Sequence, residues 1–464
     1  MTRNFAFLFV LSIFLPFHSP ALVDSIATRM TGSAYIDNRS YAVLERLCDE
    51  GGGRLTGSPA NERAMDILVE ELHRIGYDAH REPFTMPGWV RGSDYVRVTS
   101  PFTRTLRAVA LGYVNRHDPF EASVVAVSGG RREDYAHLDV RGSVVLLSST
   151  PLSRSEAIQV AAEQGARGFL LVSDKDGGLL LARISTVTGE PSPIPAFSVT
   201  AEEGQWIKRL CERSIPVTVS VSTESYCTVT HTANIVASLP GRVPEKIIIG
   251  AHFDSWDLGQ GGIDNGSGTA VAFGVARLLK AFSPANHYTI EFVWFNGEEQ
   301  GLWGSKEYVR VHPADSIAAI INLDMVGSPT GFNPMGMEQY VPFLDSLATQ
   351  LNGFDLKTGQ PVIPWLGSDH VPFMLKGIPA FTPHSFLEED RVRYYHDFGD
   401  TFDKVRKKSL ADAVAVVSVL ARTLANRPDL FPRHNTEAET AALFKKYHLD
   451  ERLKQQNYWP FSGE

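Results

Sequence analysis

Four short apolar runs between residues 246 and 382 each stop at polar or acidic groups, and this constrains the fold more than any other feature of the chain. KIIIGA runs into His252 and Asp254. YTIEFVWF runs into Glu298 and Glu299, IAAIINL stops at Asp324, and GIPAFTP follows GSDHVPF. Such runs alternate with helix-like segments to about residue 427, the pattern of a largely parallel sheet covered by helices. Functional groups in an open sheet of that kind gather beyond the carboxyl ends of its strands. His252, Asp254, Glu298, Glu299 and Asp324 all hold such positions. Any one alone would pass for an ordinary loop residue; together they form a constellation.

The stretch HFDSWDLGQGGIDNGSG, residues 252–268, places one His and three Asp directly after a buried strand. Converging carboxylates repel one another and take up protons unless cations hold them. Imidazole and carboxylate together suit Zn²⁺ better than Co²⁺ or Mn²⁺. A bridging carboxylate can hold two ions roughly 3.5 Å apart around one water. Gly259, Gly261, Gly262, Gly266 and Gly268 free the backbone to turn Asp264 inward. No G-x-S-x-G elbow occurs, and the glycines of GQGGIDNG sit among acids unsuited to a diphosphate.

The rest of the chain sets the frame. Its 464 residues, 43% of them hydrophobic, exceed one average domain and exclude a disordered chain. With 44 basic and 53 acidic residues the net charge is -9, which gives no electrostatic reason to bind nucleic acid or an anionic membrane. Residues 1–21, with Arg3, the apolar stretch 5–17 and Ser19-Pro20-Ala21, read as a secretory signal peptide. The expected location is therefore secreted or periplasmic, without stable membrane association. Cys48, Cys211 and Cys227 are too few for a disulfide scaffold, although Cys211 and Cys227 are a possible pair. Ser58 and Pro59 open a helix with Ala64, Ile67, Leu68, Leu72 and Ile75 on one face, and Gly76 stops it. Between 102 and 225 short β-type runs mix with two helix-like stretches and no cluster of potential ligands, so this segment reads as an inserted α/β module. Residues 22–101 and 226–430 then make the larger domain, and 431–464 read as a peripheral tail.

HFDSWD, GGIDNGSGTA, NGEEQGLWGS, NLDMVG, GSDHVPF and YYHDFGDT stand in the order and approximate spacing of the di-zinc peptidases of family M28, which the chain resembles over roughly residues 35–425. GGGRLTGSPANERA, FTMPGWVRG and HFDSWDLGQGG are closer to the carboxypeptidase Q branch. GGIDNGSG and SDHVPF depart from that branch, which weakens any transfer of its substrate preference. DVRGSVVLLSS and EQGARGFLLVSD resemble the protease-associated domain, a non-catalytic lid or docking module.

The resemblance implies a zinc-peptidase α/β fold, a mixed, largely parallel sheet with helices on both faces, and two zinc ions per chain. His252, Asp264 and Asp324 would hold one ion; Asp264, Glu299 and His396 would hold the other. Glu298 would be the general base, and Asp254 would orient His252 from its far ring nitrogen. His384 and Asp397 compete with His396, and only the HxxxDT spacing favours the last. Asp369 and His370 lie near the site without being ligands; Asp257 and Asp400 suit turn caps or support of the ligands. The expected activity is exopeptidase cleavage of dipeptides or short peptides, with a homodimer implied by the family. An aminopeptidase on longer peptides is the rival within the class. A non-catalytic receptor-like ectodomain is the rival outside it, and the presence of Glu298 with all five ligand positions argues against it.

Overall fold

A computed structural model describes residues 25–283, 285–431 and 433–461; the signal-like segment 1–21 lies outside the described residues. Its centre is a seven-stranded sheet in the order His80–Val90, Tyr226–Leu239, Tyr288–Phe295, Val243–His252, Ile317–Asn322, Ala380–Phe386, Ser328–Asn333. The strands from Tyr288–Phe295 to Ala380–Phe386 pair in parallel, and the flanking strands pair antiparallel. The sheet is thus mixed, with its parallel part where the chain is most continuously apolar. Every residue of Ile317–Asn322 is buried, as are the last six of Val243–His252. Covered on both faces, such strands cannot alternate apolar and polar residues.

Helices Ser25–Ile36, Arg39–Arg46, Pro59–Arg74, Gly268–Phe282 and Lys407–Ala425 enclose one core against the sheet. Trp303–Val311, His370–Met374 and Glu437–Lys446 enclose a second on the opposite face, around Phe295, Tyr308, Phe373 and Phe444. Each such side chain removed from water contributes about 1.5–3 kcal/mol. Pro59–Arg74 shows how local sequence sets a boundary. The Asn61 N–H donates to Ser58 Oγ, Pro59 takes the first turn where no N–H is needed, and Gly76 ends the helix at φ +85°.

A second, eight-stranded sheet contains Asp94–Ser100, His117–Val127, Val144–Leu147, Gly168–Val172, Ala196–Val199 and Thr218–Thr223, with helices Arg154–Glu163 and Ala201–Glu212 packed on it. This is the smaller inserted α/β domain. Its sheet opens at Asp94, ahead of residue 102, because DYVRVTS pairs with Thr218–Thr223 and not with the central sheet. The two bodies are joined by a ribbon. His80–Val90 runs antiparallel to Tyr226–Leu239 from His80 opposite Val236 to Val90 opposite Tyr226, and the pairing resumes at Asp94 opposite Thr223.

The possible Cys211–Cys227 pairing is not made. All three cysteines are free, with Cys211 Sγ against the Val124 carbonyl and Cys227 Sγ against that of Tyr113. The tail is less peripheral than its polarity suggests, since Phe444 and Leu453 are buried in the second core. Among the described residues no helix is long and apolar enough to cross a membrane.

Candidate metal centre

The strand ends deliver their side chains to one point. His252 closes its strand with its ring 1% exposed, and Thr269 Oγ donates to its backbone carbonyl. Asp264 comes from the glycine-rich turn that follows. Gly261 there has φ +58°, and an added Cβ would lie 2.3 Å from that of Ser255, so only glycine fits. Glu298 and Glu299 follow Tyr288–Phe295, and Asp324 follows Ile317–Asn322. His396 arrives from the loop before Lys407–Ala425 with φ +60°, a left-handed conformation uncommon for a side chain of its size.

Asp264 divides the cluster in two. Its Oδ1 lies 3.2 Å from His252 Nε2, which is itself 3.5 Å from Asp324 Oδ1. Its Oδ2 lies 2.9 Å from His396 Nε2, which is 3.0 Å from Glu299 Oε2. Each set, His252 with Asp264 and Asp324, and His396 with Asp264 and Glu299, brings three ligand atoms within 4.8 Å of one another. A tetrahedral zinc with ligands at about 2.05 Å has edges of about 3.3 Å. Asp264 Oδ1, Glu299 Oε1 and Asp324 Oδ1 are buried with no hydrogen-bond partner, a costly state for carboxylates unless cations complete them.

The charges agree with that fit. Burial pushes the Glu298 and Glu299 carboxyls well above the usual range; neighbouring carboxylates add to this and His252 opposes it. Burial alone would lower His252, but the charge of Glu298 and then of Asp254, Asp264 and Asp324 raises it well above the ordinary value. Burial drives His396 down to about 4, leaving it neutral and able to donate a lone pair to a metal. Protons alone would have to neutralise this cluster, and two divalent cations do so without them. The residues present fit a pair of zinc ions.

Asp254 supports the cluster differently from the expectation. Its carboxylate is 3.6 Å from His252 Nδ1, too long for a hydrogen bond, and the ring nitrogen meets the Asp254 backbone carbonyl at 3.1 Å. The carboxylate instead accepts the N–H groups of Glu298 and Glu299, each at 3.2 Å, and the Thr56 hydroxyl at 3.2 Å. It therefore fixes the turn that aims the two glutamates. Asp400 accepts the N–H groups of Ile263 and Asp264 at 2.7 and 3.1 Å, and Asp257 forms a two-pronged pair with Arg91. His370 Nδ1 accepts from Asn322 Nδ2 at 3.3 Å and its Nε2 donates to the Trp365 carbonyl at 2.9 Å, and His384 stands outside both sets of three. Asp369 is fully buried, and that burial pushes it up to about 7.

Two contributors escaped sequence reasoning. Arg54, fully buried, donates to the backbone carbonyls of Gly52, Phe253, Gln260 and Gly261, pinning both ends of the turn that carries Asp264. The arginine in GGGRLTG was the available signal. The inserted domain also reaches the cluster. His396 Nδ1 donates to the Ala182 carbonyl at 2.8 Å and the Ala182 N–H returns to the His396 carbonyl at 3.0 Å. Leu180 N–H donates to Asp397 Oδ2 at 2.7 Å, and Lys175 Nζ to the Tyr395 carbonyl at 2.7 Å. No local pattern in the chain encodes these contacts.

Residues 234–421 match peptidase family M28, and residues 120–207 match the PA domain. The chain is a zinc metallopeptidase that carries a peptidase family M28 region and, ahead of it, a PA domain. Carboxypeptidase Q of Bos taurus is 27% identical over 423 residues, covering 85% of this chain and 87% of that protein. Aminopeptidase YwaD of Bacillus subtilis is 25% identical, covering 82% and 83%. A crystal structure of a peptidase M28 precursor from Shewanella amazonensis superposes with a TM-score of 0.77 at 24% identity, covering 86% of this chain and 96% of the other, and shares the fold. The likeness extends to carboxypeptidases and aminopeptidases alike and singles out neither branch.

Proposed function

We propose that this M28 peptidase is an extracytoplasmic di-zinc exopeptidase acting on dipeptides or short peptides. One observation carries the reading: the two oxygens of Asp264 face two separate His–carboxylate sets. His252, Asp264 and Asp324 would hold one zinc, and Asp264, Glu299 and His396 the other. A zinc pair held there would supply Lewis acidity toward the scissile carbonyl and would lower the pKa of a water. Glu298 accepts the proton of the attacking water at its carboxylate and hands it to the leaving amine. Its Oε2 is 4.0 Å from His252 Nε2, at the edge of the cluster and free of both sets of three. Asp254 holds the backbone that keeps Glu298 and Glu299 pointing apart. We assign residues 22–93 and 226–430 to the peptidase body, 94–225 to a PA-like insert bordering the cleft, and 431–464 to a tail. The signal-like N-terminus supports export.

Zinc analysis of the full chain with a dipeptide panel, including amino-blocked and carboxyl-blocked forms, tests the reading. About two zinc per chain and cleavage of unblocked dipeptides are expected. Glu298→Gln should lower kcat by roughly 10²–10⁴-fold with zinc content unchanged, whereas Glu299→Gln should lose occupancy of one position. Loss of metal in Glu298→Gln with both ions kept in Glu299→Gln would reverse the two roles. Full activity in Glu298→Gln would end the hydrolytic mechanism.

A further inference from the structure

The segment GGGRLTGSPAN, residues 51–61, supplies no residue to either set of three, yet it is pressed against the turn that joins them. A Cβ added at Gly53 would stand 2.7 Å from Asp257 Cα and 2.7 Å from the Gly259 carbonyl oxygen. Arg54 follows at once, with its side chain fully buried. Its Nε donates to the Phe253 carbonyl at 2.7 Å and its Nη2 to that of Gly261 at 2.9 Å. Its Nη1 donates to the carbonyls of Gly52 and Gln260. The backbone is fixed as well, for the Arg54 N–H donates to Ser255 Oγ at 3.0 Å and its carbonyl accepts Asn61 Nδ2 at 3.1 Å.

All of these guanidinium bonds go to backbone carbonyls. Burial lowers Arg54 from its ordinary value, and the charges of Cys48, Asp400, Asp254 and Asp264 oppose that fall. A planar fork used wholly on main-chain oxygens fixes a shape, and the oxygens it holds bracket one loop. Phe253 directly follows the ligand His252, and Gln260 and Gly261 lead into Asp264. One side chain therefore sets the span between an outer ligand and the shared one. Thr56, two residues on, reaches a different turn. Its hydroxyl lies 3.2 Å from Asp254 Oδ2 and 3.0 Å from Asn296 Oδ1, and Asp254 in turn accepts the N–H groups of Glu298 and Glu299.

We propose that Arg54 is the positioning residue of the bridging carboxylate: through the carbonyls of Phe253, Gln260 and Gly261 it holds Asp264 in the orientation that serves both metal positions. Thr56 steadies only the turn of Glu298 and Glu299. The assignment rests on the di-zinc reading and adds to it a control of the shared ligand that lies 199 to 207 residues before the carbonyls it grips. It predicts a signature that follows from sharing. Disturbing Arg54 reaches both metal positions in equal measure, whereas disturbing Thr56 reaches the one that contains Glu299.

The test measures the two stepwise zinc constants of the full chain by chelator competition, together with the Tm of the metal-free chain. Arg54→Lys keeps the charge but places its donors on one atom, which cannot span carbonyls on both sides of the loop. Both constants should weaken by roughly 10- to 100-fold, the range for partners that orient a ligand, and by factors within about 3-fold of each other. Thr56→Val keeps the shape without the hydroxyl. It should weaken one constant by roughly 10-fold and leave the other within about 3-fold. A side chain that merely braced the fold would lower the metal-free Tm and leave both constants unchanged. That result, or loss of a single constant in Arg54→Lys, overturns the assignment. Where Arg54→Lys does not fold, Ser255→Ala removes only the acceptor of the Arg54 N–H, and the same paired loss should appear at roughly 5-fold; absent or unequal loss overturns the assignment there too. Fewer than two zinc per unmodified chain refutes the di-zinc reading itself, and the assignment with it.

Discussion

Replacing Asp397 by Asn should uncouple one zinc position from the other. Asp397 is 2% exposed; its Oδ2 accepts the Leu180 N–H at 2.7 Å and its Oδ1 the Gly399 N–H at 3.0 Å. An asparagine has one acceptor oxygen, so its NH₂ must face one of those two N–H donors. One charge-assisted bond is lost, worth about 2 kcal/mol. The loss falls on the strand-like contact in which Ala182 holds the His396 ring by Nδ1, and such partners of a ligand carry 10–100-fold in metal affinity. If all of the loss reaches the ligand, zinc affinity at the set Asp264, Glu299 and His396 falls by roughly 30-fold. The set His252, Asp264 and Asp324 touches the loop only through Asp264, and its affinity should change by less than about 3-fold. Competition with a chromogenic chelator resolves the two stepwise constants. Two unchanged constants, or two that weaken equally, would refute the idea that the inserted domain positions His396.

Two further expectations follow from close packing and from buried charge. Gly259→Ala would place a Cβ 2.6 Å from the Asp397 carbonyl oxygen and 2.8 Å from that of Asp400; overpacking of this kind costs about 1–3 kcal/mol, so both Tm and zinc retention should fall, and an unchanged Tm would contradict the geometry. Lys306 titrates near 8 in the fold because it is buried, against an ordinary value near 10.4, so its charge destabilises the fold below pH 8 and that cost fades as pH rises toward 10.4. Lys306→Met should therefore melt above the unmodified chain at pH 7, by on the order of 2 kcal/mol after its aromatic contacts are subtracted, with the gap closing by pH 10; a gap independent of pH would show that burial of the charge is not the cause.

Much of the centre was legible because it is written at strand ends. An apolar run followed at once by His252, Glu298–Glu299 or Asp324 states both the strand and the position of its last side chain. The Ser58–Pro59 start and Gly76 stop were legible for the same reason, since caps are local chemistry. What the sequence hid are meetings between distant segments. Ala182 and His396 are 214 residues apart, and neither carries a pattern that predicts the other. Asp254 looked like a partner for His252 two residues away, yet the turn aims its carboxylate at backbone N–H groups 44 and 45 residues on. The tail was misjudged because amphipathic polarity reports a helix's exposed face and says nothing of which cleft its other face borders.

The ribbon between the two bodies has a mechanical meaning. The chain leaves the central sheet along His80–Val90 and returns along Tyr226–Leu239, with Gly92 N–H on Ser225 Oγ and Glu224 N–H on the Ser93 carbonyl bridging the step into the second sheet. A pair of hydrogen-bonded strands flexes across its flat face but resists bending in its own plane, unlike two independent linkers. Rocking across that flat face is the motion such a ribbon opposes least, and it would carry Ala182 and Arg183 together. Because Ala182 and His396 are hydrogen-bonded in both directions, such rocking would also pull on the loop that carries His396.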